Sequence, residues 1–260
     1  MSGSIGLHGG GEYVAGDEPF LDALLEAAAR AAARRAAEMD VTGHAAEAPP
    51  TTIRVAVVPT AASRGLPDRA AANGVEAFQR RAATAGLKAR VDVARVVDAA
   101  SAADDRIAAL LDEADLIHLP GGDPDLVPTI FPGTPVLAAI RRAWDRGAVL
   151  AGASAGAMAL AEWTWTPRGG MHGLGFVKGL AVVPHYDEIR RTTWQHAIDQ
   201  LAPGGIGYLG LDERTGVIAD VNGHGVRQWT VAGPGTAWWF PRGGGDSLVA
   251  RDGEVLDLPV

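Results

Sequence analysis

The stretch that most restricts what this chain can fold into is residues 148–162, AVLAGASAGAMALAE. A short apolar run, Ala148-Val149-Leu150-Ala151, meets Gly152-Ala153-Ser154-Ala155-Gly156 and continues into an alanine-rich helix former. This pattern predicts a strand, a sharp turn and a helix, with a serine at the turn. The G-x-S-x-G spacing has a mechanical origin. A serine on a strained strand-to-helix turn leaves no room for a Cβ two residues to either side. Such a turn projects Ser154 Oγ out of a sheet. It also brings the Ala155 N–H to a helix start, where partial positive charge favours an oxyanion. A glycine-rich helix start capped by a serine would use the same letters without any chemistry.

The segments before the turn alternate between strand and helix patterns. Residues 4–7 read as a first strand that runs into His8-Gly9-Gly10-Gly11. A helix follows over 19–39, with Asp17 as its cap, Pro19 in its first turn and a stripe of Phe20, Leu21, Leu24 and Leu25. Its Ala/Arg-rich later half is expected to be more exposed, and 40–52 to be a loop. Strands are predicted at 54–59, 87–97 and 116–119, and helices at 68–85, 101–114 and 134–146. Alternation of this kind favours one mostly parallel, doubly wound sheet with helices on both faces. Functional loops in such sheets lie at the carboxyl ends of the strands. His8-Gly9-Gly10-Gly11, Gly121-Gly122-Asp123 and Ser154 all fall there.

Beyond the turn, a strand at 180–183 delivers Pro184-His185-Tyr186, a helix is predicted over 189–201, and a strand at 207–211 delivers Asp212-Glu213. Short apolar runs at 217–219, 226–231, 237–240 and 247–250 are separated by Gly/Asn/Asp turns. They predict a C-terminal antiparallel β appendage (217–260) on a single α/β domain spanning 1–260.

The 260 residues carry a net charge of −8 and no cysteine. An acidic chain without a Lys/Arg run argues against a nucleic-acid surface. The lack of cysteine excludes disulfides, thiolate metal sites and a cysteine nucleophile. No HExxH or EF-hand pattern occurs, so neither metal nor cofactor is expected. The start, MSGSIGLHGGGEY, lacks the basic-then-apolar form of a secretory signal, and no apolar run reaches the roughly 20 residues of a spanning helix. A cytoplasmic protein without a membrane partner is the expectation. Edge-like runs in the β tail make a homodimer a further one.

A serine nucleophile needs a base, and the base an orienting carboxylate. Of seven histidines, His185 ends an apolar strand beside a loop downstream of the turn, the best position for a base. His118 lies inside a buried strand and reads as a core group. His8 sits in the first glycine loop, and His44, His172, His196 and His224 fall in loops or on a helix. Glu213 and Asp212 both end the next strand. Neighbours on an extended chain point to opposite sides, so only one of them faces His185. The backbone of Gly121-Gly122-Asp123 offers a second oxyanion donor. His8-Gly9-Gly10-Gly11 is a weak phosphate cradle, because no Lys-Ser/Thr follows it.

In order along the chain, Gly9-Gly10-Gly11-Glu12, Gly121-Gly122-Asp123, Gly152-Ala153-Ser154-Ala155-Gly156, Pro184-His185-Tyr186 with Arg190-Arg191, and Leu211-Asp212-Glu213-Arg214-Thr215 resemble the serine peptidases of the aspartyl dipeptidase and cyanophycinase group. That resemblance implies a flavodoxin-like, glutamine-amidotransferase-like fold with serine where relatives carry cysteine. It implies a Ser154–His185–Glu213 triad and an oxyanion hole from Gly122 and Ala155. It also implies small peptide substrates with an aspartyl or β-aspartyl residue beside the scissile bond. Gly10, Gly11 and Asp123 would line the substrate, and Arg190 or Arg191 would grip its carboxylate. The group often has Asn where this chain has Asp123, which brings an extra negative charge. Two rival readings use the same letters. One is an α/β-hydrolase esterase with Ser154, Asp212 and His224, in which His8-Gly9-Gly10-Gly11 mimics an oxyanion motif. The other is a non-catalytic binding module.

Overall fold

The structure is a computed structural model that describes residues 2–39, 51–186, 204–221, 227–241 and 245–258. Five parallel strands form the centre of the main sheet: β1 (Ile5–His8), β2 (Ile53–Val57), β3 (Ala89–Val93), β4 (Leu116–Leu119) and β5 (Val149–Ala153). They lie in the spatial order β1-β5-β4-β2-β3. Every residue of β1, β4 and β5 is buried and all but His8 and His118 are apolar, as suits strands covered on both faces.

Alternate residues of β5 serve the two faces. Val149 and Ala151 pack with α1 (Glu18–Met39) and α2 (Pro67–Thr84). Leu150 packs on the other side with α4 (Asp105–Asp112), α6 (Pro135–Asp145) and α7 (Ala155–Leu160). The strand–helix alternation is therefore as the sequence predicts over the first 153 residues.

The later half of α1 is the more exposed one, as expected: Arg30, Ala33, Arg34 and Ala37 are exposed. Ala31 and Ala32 still face the sheet, because side chains this small let the helix lie close on it. Two arginines of this half bond back to the body of the fold: Arg35 forks onto the buried Asp115 at 2.8 and 2.9 Å, and Arg34 Nη2 donates to the Gly147 carbonyl. Two differences follow. First, the helix after Ser154 lasts only six residues. Ala161–Thr166, with β-forming Trp and Thr in alternation, is already a strand, β6.

The second concerns the C-terminal strands, which pair antiparallel as expected but are built into both sheets. β10 (Gly216–Val221) pairs antiparallel with β1, and β11 (Arg227–Ala232) and β14 (Val255–Asp257) extend that edge. The main sheet is therefore mixed, in the order β14-β11-β10-β1-β5-β4-β2-β3. β12 (Thr236–Phe240) and β13 (Leu248–Arg251) belong instead to a second mixed sheet with β9 (Gly207–Leu211), β8 (Val177–Val183), β6 and β7 (Gly169–His172). The runs are apolar because they are inserted into the core: Val217, Ala219, Trp229, Val231 and Trp239 are all buried in the cluster that holds Leu150. Hairpin-like turns alone do not reveal which sheet a strand joins. The helix predicted over 189–201 and most of the loop at 40–52 lie outside the described residues. Among the described residues, no helix is long and apolar enough to cross a membrane.

Trp229 tests the inserted tail. Trp229→Ala should lower unfolding stability by about 3–5 kcal/mol, the cost of a core cavity. Chemical denaturation checks this, and a loss of a few tenths would mean that β11 carries little of the fold.

Candidate active site

The turn at the end of β5 is built as the sequence requires. Ser154 has φ +48° and ψ −116°, a backbone shape that costs energy for a residue with a Cβ and persists only where its surroundings enforce it. Enforcement comes from close packing. A Cβ on Gly152 would overlap the Gly156 backbone, and one on Gly156 would overlap the Leu119 carbonyl. The Ser154 N–H donates to the His8 carbonyl at 2.9 Å, tying the turn to the end of β1.

His185 follows β8 and also has a positive φ, +52°. Its N–H donates to the Gly9 carbonyl at 2.8 Å. Its Nε2 lies 3.0 Å from Ser154 Oγ and its Nδ1 2.8 Å from Glu213 Oε1. An ionised carboxylate only accepts, so the ring proton sits on Nδ1, and Nε2 accepts from the serine hydroxyl. The two carboxylates after β9 diverge. Asp212 Oδ2 accepts from the Thr236 N–H at 3.0 Å, while Glu213 faces the imidazole. Of the esterase arrangement, Asp212 binds the Thr236 N–H, and His224 lies outside the described residues.

The loop after β1 ties these pieces together. The Gly9 N–H donates to the Thr215 carbonyl at 2.9 Å, and the Gly10 carbonyl accepts from the Arg214 N–H at 2.7 Å. Gly10 has φ +106°, and a Cβ there would run into the His185 ring. Gly11 (φ +69°) lies against Arg214 and Glu213. The nearest neighbours of Gly10 and Gly11 are thus groups of the site itself.

Buried polar groups hold this loop from below. His8 Nδ1 accepts from the Gly10 N–H, its Nε2 is 2.9 Å from Asp17 Oδ1, and Asp17 Oδ2 accepts from the Tyr13 N–H at 2.7 Å. Asp17 spends its carboxylate here and not as the helix cap that the sequence suggests. The Tyr13 hydroxyl meets His118 Nδ1 at 2.7 Å. Burial pushes the Tyr13 phenol well above its ordinary range. It pushes His118 down to about 3, helped by nearby His8, so His118 is neutral and accepts from the phenol. His118 is the core group that its strand position predicts.

The Gly121-Gly122-Asp123 loop follows β4. Gly122 has φ +152°, a Cβ on it would overlap the Ala61 carbonyl, and the Asp123 N–H donates to that carbonyl at 2.7 Å. Gly121 lies against the serine: a Cβ placed on it would be 3.1 Å from Ser154 Cβ. Among the described residues, the N–H groups of Gly122 and Ala155 have no protein acceptor. The Asp123 carboxylate is 3.7 Å from Arg64, which forks onto Asp125 at 2.6 and 2.8 Å. A cleft of about 420 Å³ opens beside Gly122, lined by Leu66, Arg69, Asn73 and Asp123. Arg190 and Arg191 lie outside the described residues.

Sequence reasoning missed one residue here. Glu12 Oε1 accepts the Gly121 N–H at 2.7 Å, joining the first glycine loop to the second. Its signal was an acid directly after three glycines, ahead of the helix that carries its own acidic start at Glu18.

The sequence pattern of peptidase family S51 matches residues 44–227, well over half of the chain. The chain belongs to peptidase family S51. As an S51 protein it is a serine peptidase. Among the solved structures that match it, two illustrate the shared fold. One is a peptidase from an acI-B1 Actinobacterium, 24% identical over 99% of this chain and 98% of that one, with a TM-score of 0.72. The other is a provisionally named peptidase E protein from Listeria monocytogenes EGD-e, 13% identical over 96% and 99% of the two chains, with a TM-score of 0.54. No curated protein sequence matches the chain.

His118 gives this S51 peptidase a pH signature. In the unfolded chain it takes up a proton near pH 6.5, while in the folded protein it stays neutral down to about 3. Its neutral form therefore supports the fold fully above the ordinary histidine range, and that support is lost as pH falls through the window below it. His118→Asn should flatten the urea-stability profile between about pH 6 and pH 4 relative to the parent. Parallel profiles would assign the acid sensitivity elsewhere.

Proposed function

We propose that this protein hydrolyses small peptides through an acyl-enzyme on Ser154, with His185 as base and acid and Glu213 orienting the imidazole. The observation that carries the reading is the unbroken line Ser154 Oγ–His185 Nε2, His185 Nδ1–Glu213 Oε1, at 3.0 and 2.8 Å, on a strained turn at the end of a buried strand. In the first half-reaction, Ser154 Oγ attacks the scissile carbonyl as its proton passes to His185 Nε2. The imidazolium so formed is stabilised by Glu213. It then gives the proton to the leaving amine, and the C–N bond breaks. Water then bonds the acyl carbon as its proton passes to His185, and that proton returns to Ser154 Oγ as the C–Oγ bond breaks and the acid leaves. The N–H groups of Gly122 and Ala155 hold the oxyanion, as donors with no competing protein acceptor among the described residues.

The substrate class follows the family: short peptides with an aspartyl or β-aspartyl residue beside the scissile bond. Asp123 borders that space with its charge partly offset by Arg64. Arg190 and Arg191 are the proposed grips for an acidic side chain. A dipeptide panel with a varied first residue identifies the preference.

Ser154→Ala should abolish hydrolysis, a fall of roughly 10⁴-fold or more, with the fold retained. Steady-state rates and a thermal melt on the same sample check both halves, and activity persisting in clean mutant protein would reject the nucleophile. Glu213→Gln should cost about a thousandfold in kcat, because an amide no longer enforces the productive tautomer. The kcat/KM profile should fall on its acid side, since a protonated imidazole accepts nothing from serine. A flat acid limb would remove His185 from its role.

A further inference from the structure

Among the described residues, four strands end a sheet: β3 and β14 in the main sheet, β7 and β13 in the second. Such an edge presents a row of N–H and C=O groups to any strand that approaches. β3 is the longest of the four, five residues in unbroken register with β2, with neither proline nor bulge. It is also the one that carries a basic and an acidic residue two positions apart, Arg90 and Asp92.

The pairing with β2 fixes which main-chain groups face outward. The Ile53 N–H donates to the Lys88 carbonyl at 2.8 Å, and the Ala94 N–H to the Val57 carbonyl at 3.0 Å. Direction alternates along a strand, so Arg90 and Asp92 also turn their main-chain groups toward β2. Ala89, Val91 and Val93 turn theirs away from it. This edge is accessible: Val93 is 38% exposed and the Arg90 side chain 72%. Arg90 and Asp92 stand on the α4 face, beside a cleft of about 240 Å³ that Ala56, Leu110 and Glu113 also line. The cleft holds α4 back from the edge, so the helix does not block a strand coming alongside.

The order of charges along β3 is complementary to itself. In a second copy laid antiparallel about a two-fold axis at Val91, that residue faces the partner's Val91, and Ala89 faces the partner's Val93. Each of these pairs exchanges two N–H···O=C bonds. Between them Arg90 falls opposite the partner's Asp92, in the pairs whose Cα atoms are about 4.5 Å apart and whose side chains are closest. The axis forms this pair twice. Within one chain the two side chains already meet at 2.7 Å, so each carboxylate gains a second guanidinium without giving up the first. Sliding the copy by two residues sets Arg90 against the partner's Arg90 in one direction and Asp92 against the partner's Asp92 in the other. Like charges opposite each other oppose both slips, and both pair fewer of the outward residues.

We propose that β3 is a self-association edge, through which two copies of this chain join their main sheets antiparallel about Val91. β14, at the far end of the sheet, has Asp257 as its one charged residue and offers no such match. The homodimer that edge-like runs suggest at the C-terminal strands thus belongs to the opposite edge. Antiparallel joining turns the carboxyl ends of the two sets of central strands in opposite directions, so both Ser154 sites stay open. The inference is independent of the hydrolase reading.

Sedimentation velocity of the full chain over roughly 1 to 100 µM reads the association. The unaltered protein should pass from monomer to dimer across that range, and a monomer throughout overturns the proposal. Arg90→Asp sets like charges opposite each other twice, and should raise the dimer dissociation constant by roughly tenfold or more, as should Asp92→Arg. Combining the two reversals restores opposite pairs and should return the constant close to that of the parent. The exposed pair adds little to the fold, and a thermal melt of each variant checks this. A dimer whose constant neither reversal changes lies elsewhere on the molecule and overturns the proposal. The register is read separately. The chain has no cysteine, so one introduced thiol reports alone. Under mild oxidant Val91→Cys should give a disulfide-linked dimer, because the axis brings that position against itself at about 5.5 Å between Cα atoms. Val93→Cys should not, since the axis separates its two copies by about 13 Å along the strand. No link at Val91, or a link at Val93 that equals it, overturns the pairing.

Discussion

Everything at this site depends on how closely three other loops can approach the backbone of Gly9, Gly10 and Gly11. The Gly9 carbonyl receives the His185 N–H, the Gly10 carbonyl receives the Arg214 N–H, and the imidazole lies where a Cβ of Gly10 would be. Glu12, one residue on, holds Gly121. A main chain without side chains is the only surface thin enough for this, and a thin loop is weak unless something fixes it. Fixing comes from below, through His8, Asp17, Tyr13 and His118. These groups are wholly or partly buried and linked by hydrogen bonds and the His8–Asp17 contact, so they lock one conformation where an apolar floor would let the loop slide.

The parallel centre of the sheet explains why such loops meet at all. Side-by-side parallel strands end at the same edge, so the turns after β1, β4 and β5 are neighbours although His8 is far from both Leu119 and Ala153 in the chain. Positive φ at Ser154, His185 and Arg214 marks the places where the chain is bent out of its preferred shapes to aim side chains at one point. Each strained residue is held by a hydrogen bond to, or from, the first loop or the end of β1.

The sequence made some of this plain and hid the rest for physical reasons. Residues 148–156 were legible because the turn admits almost no other residues, and β1, β4 and β5 because doubly covered strands are mostly apolar. His185 and Glu213 were legible as strand ends, but the choice between Asp212 and Glu213 was not. It depends on the pairing of β9 with β12, which puts Asp212 against Thr236. The destination of the last strands was likewise closed to local reasoning. Trp229 and Trp239 sit in similar apolar runs, yet one joins the main sheet and the other the second. Asp17 looked like a helix cap because caps and buried ion partners use the same residue type. Glu12 was hidden because its partner is a backbone N–H more than a hundred residues away.

The antiparallel pairing of β10 with β1 places residues 216–221 directly beside a strand made well before them, Ile5–His8. The serine, at position 154, emerges well before Glu213 and before the strand that pins the amino-terminal loop from its outer side. Read as the proposed triad, the site is therefore completed last from its carboxyl-terminal side: Ser154 and His185 precede Glu213, and the loop after β1 is pinned only once β10 has been made.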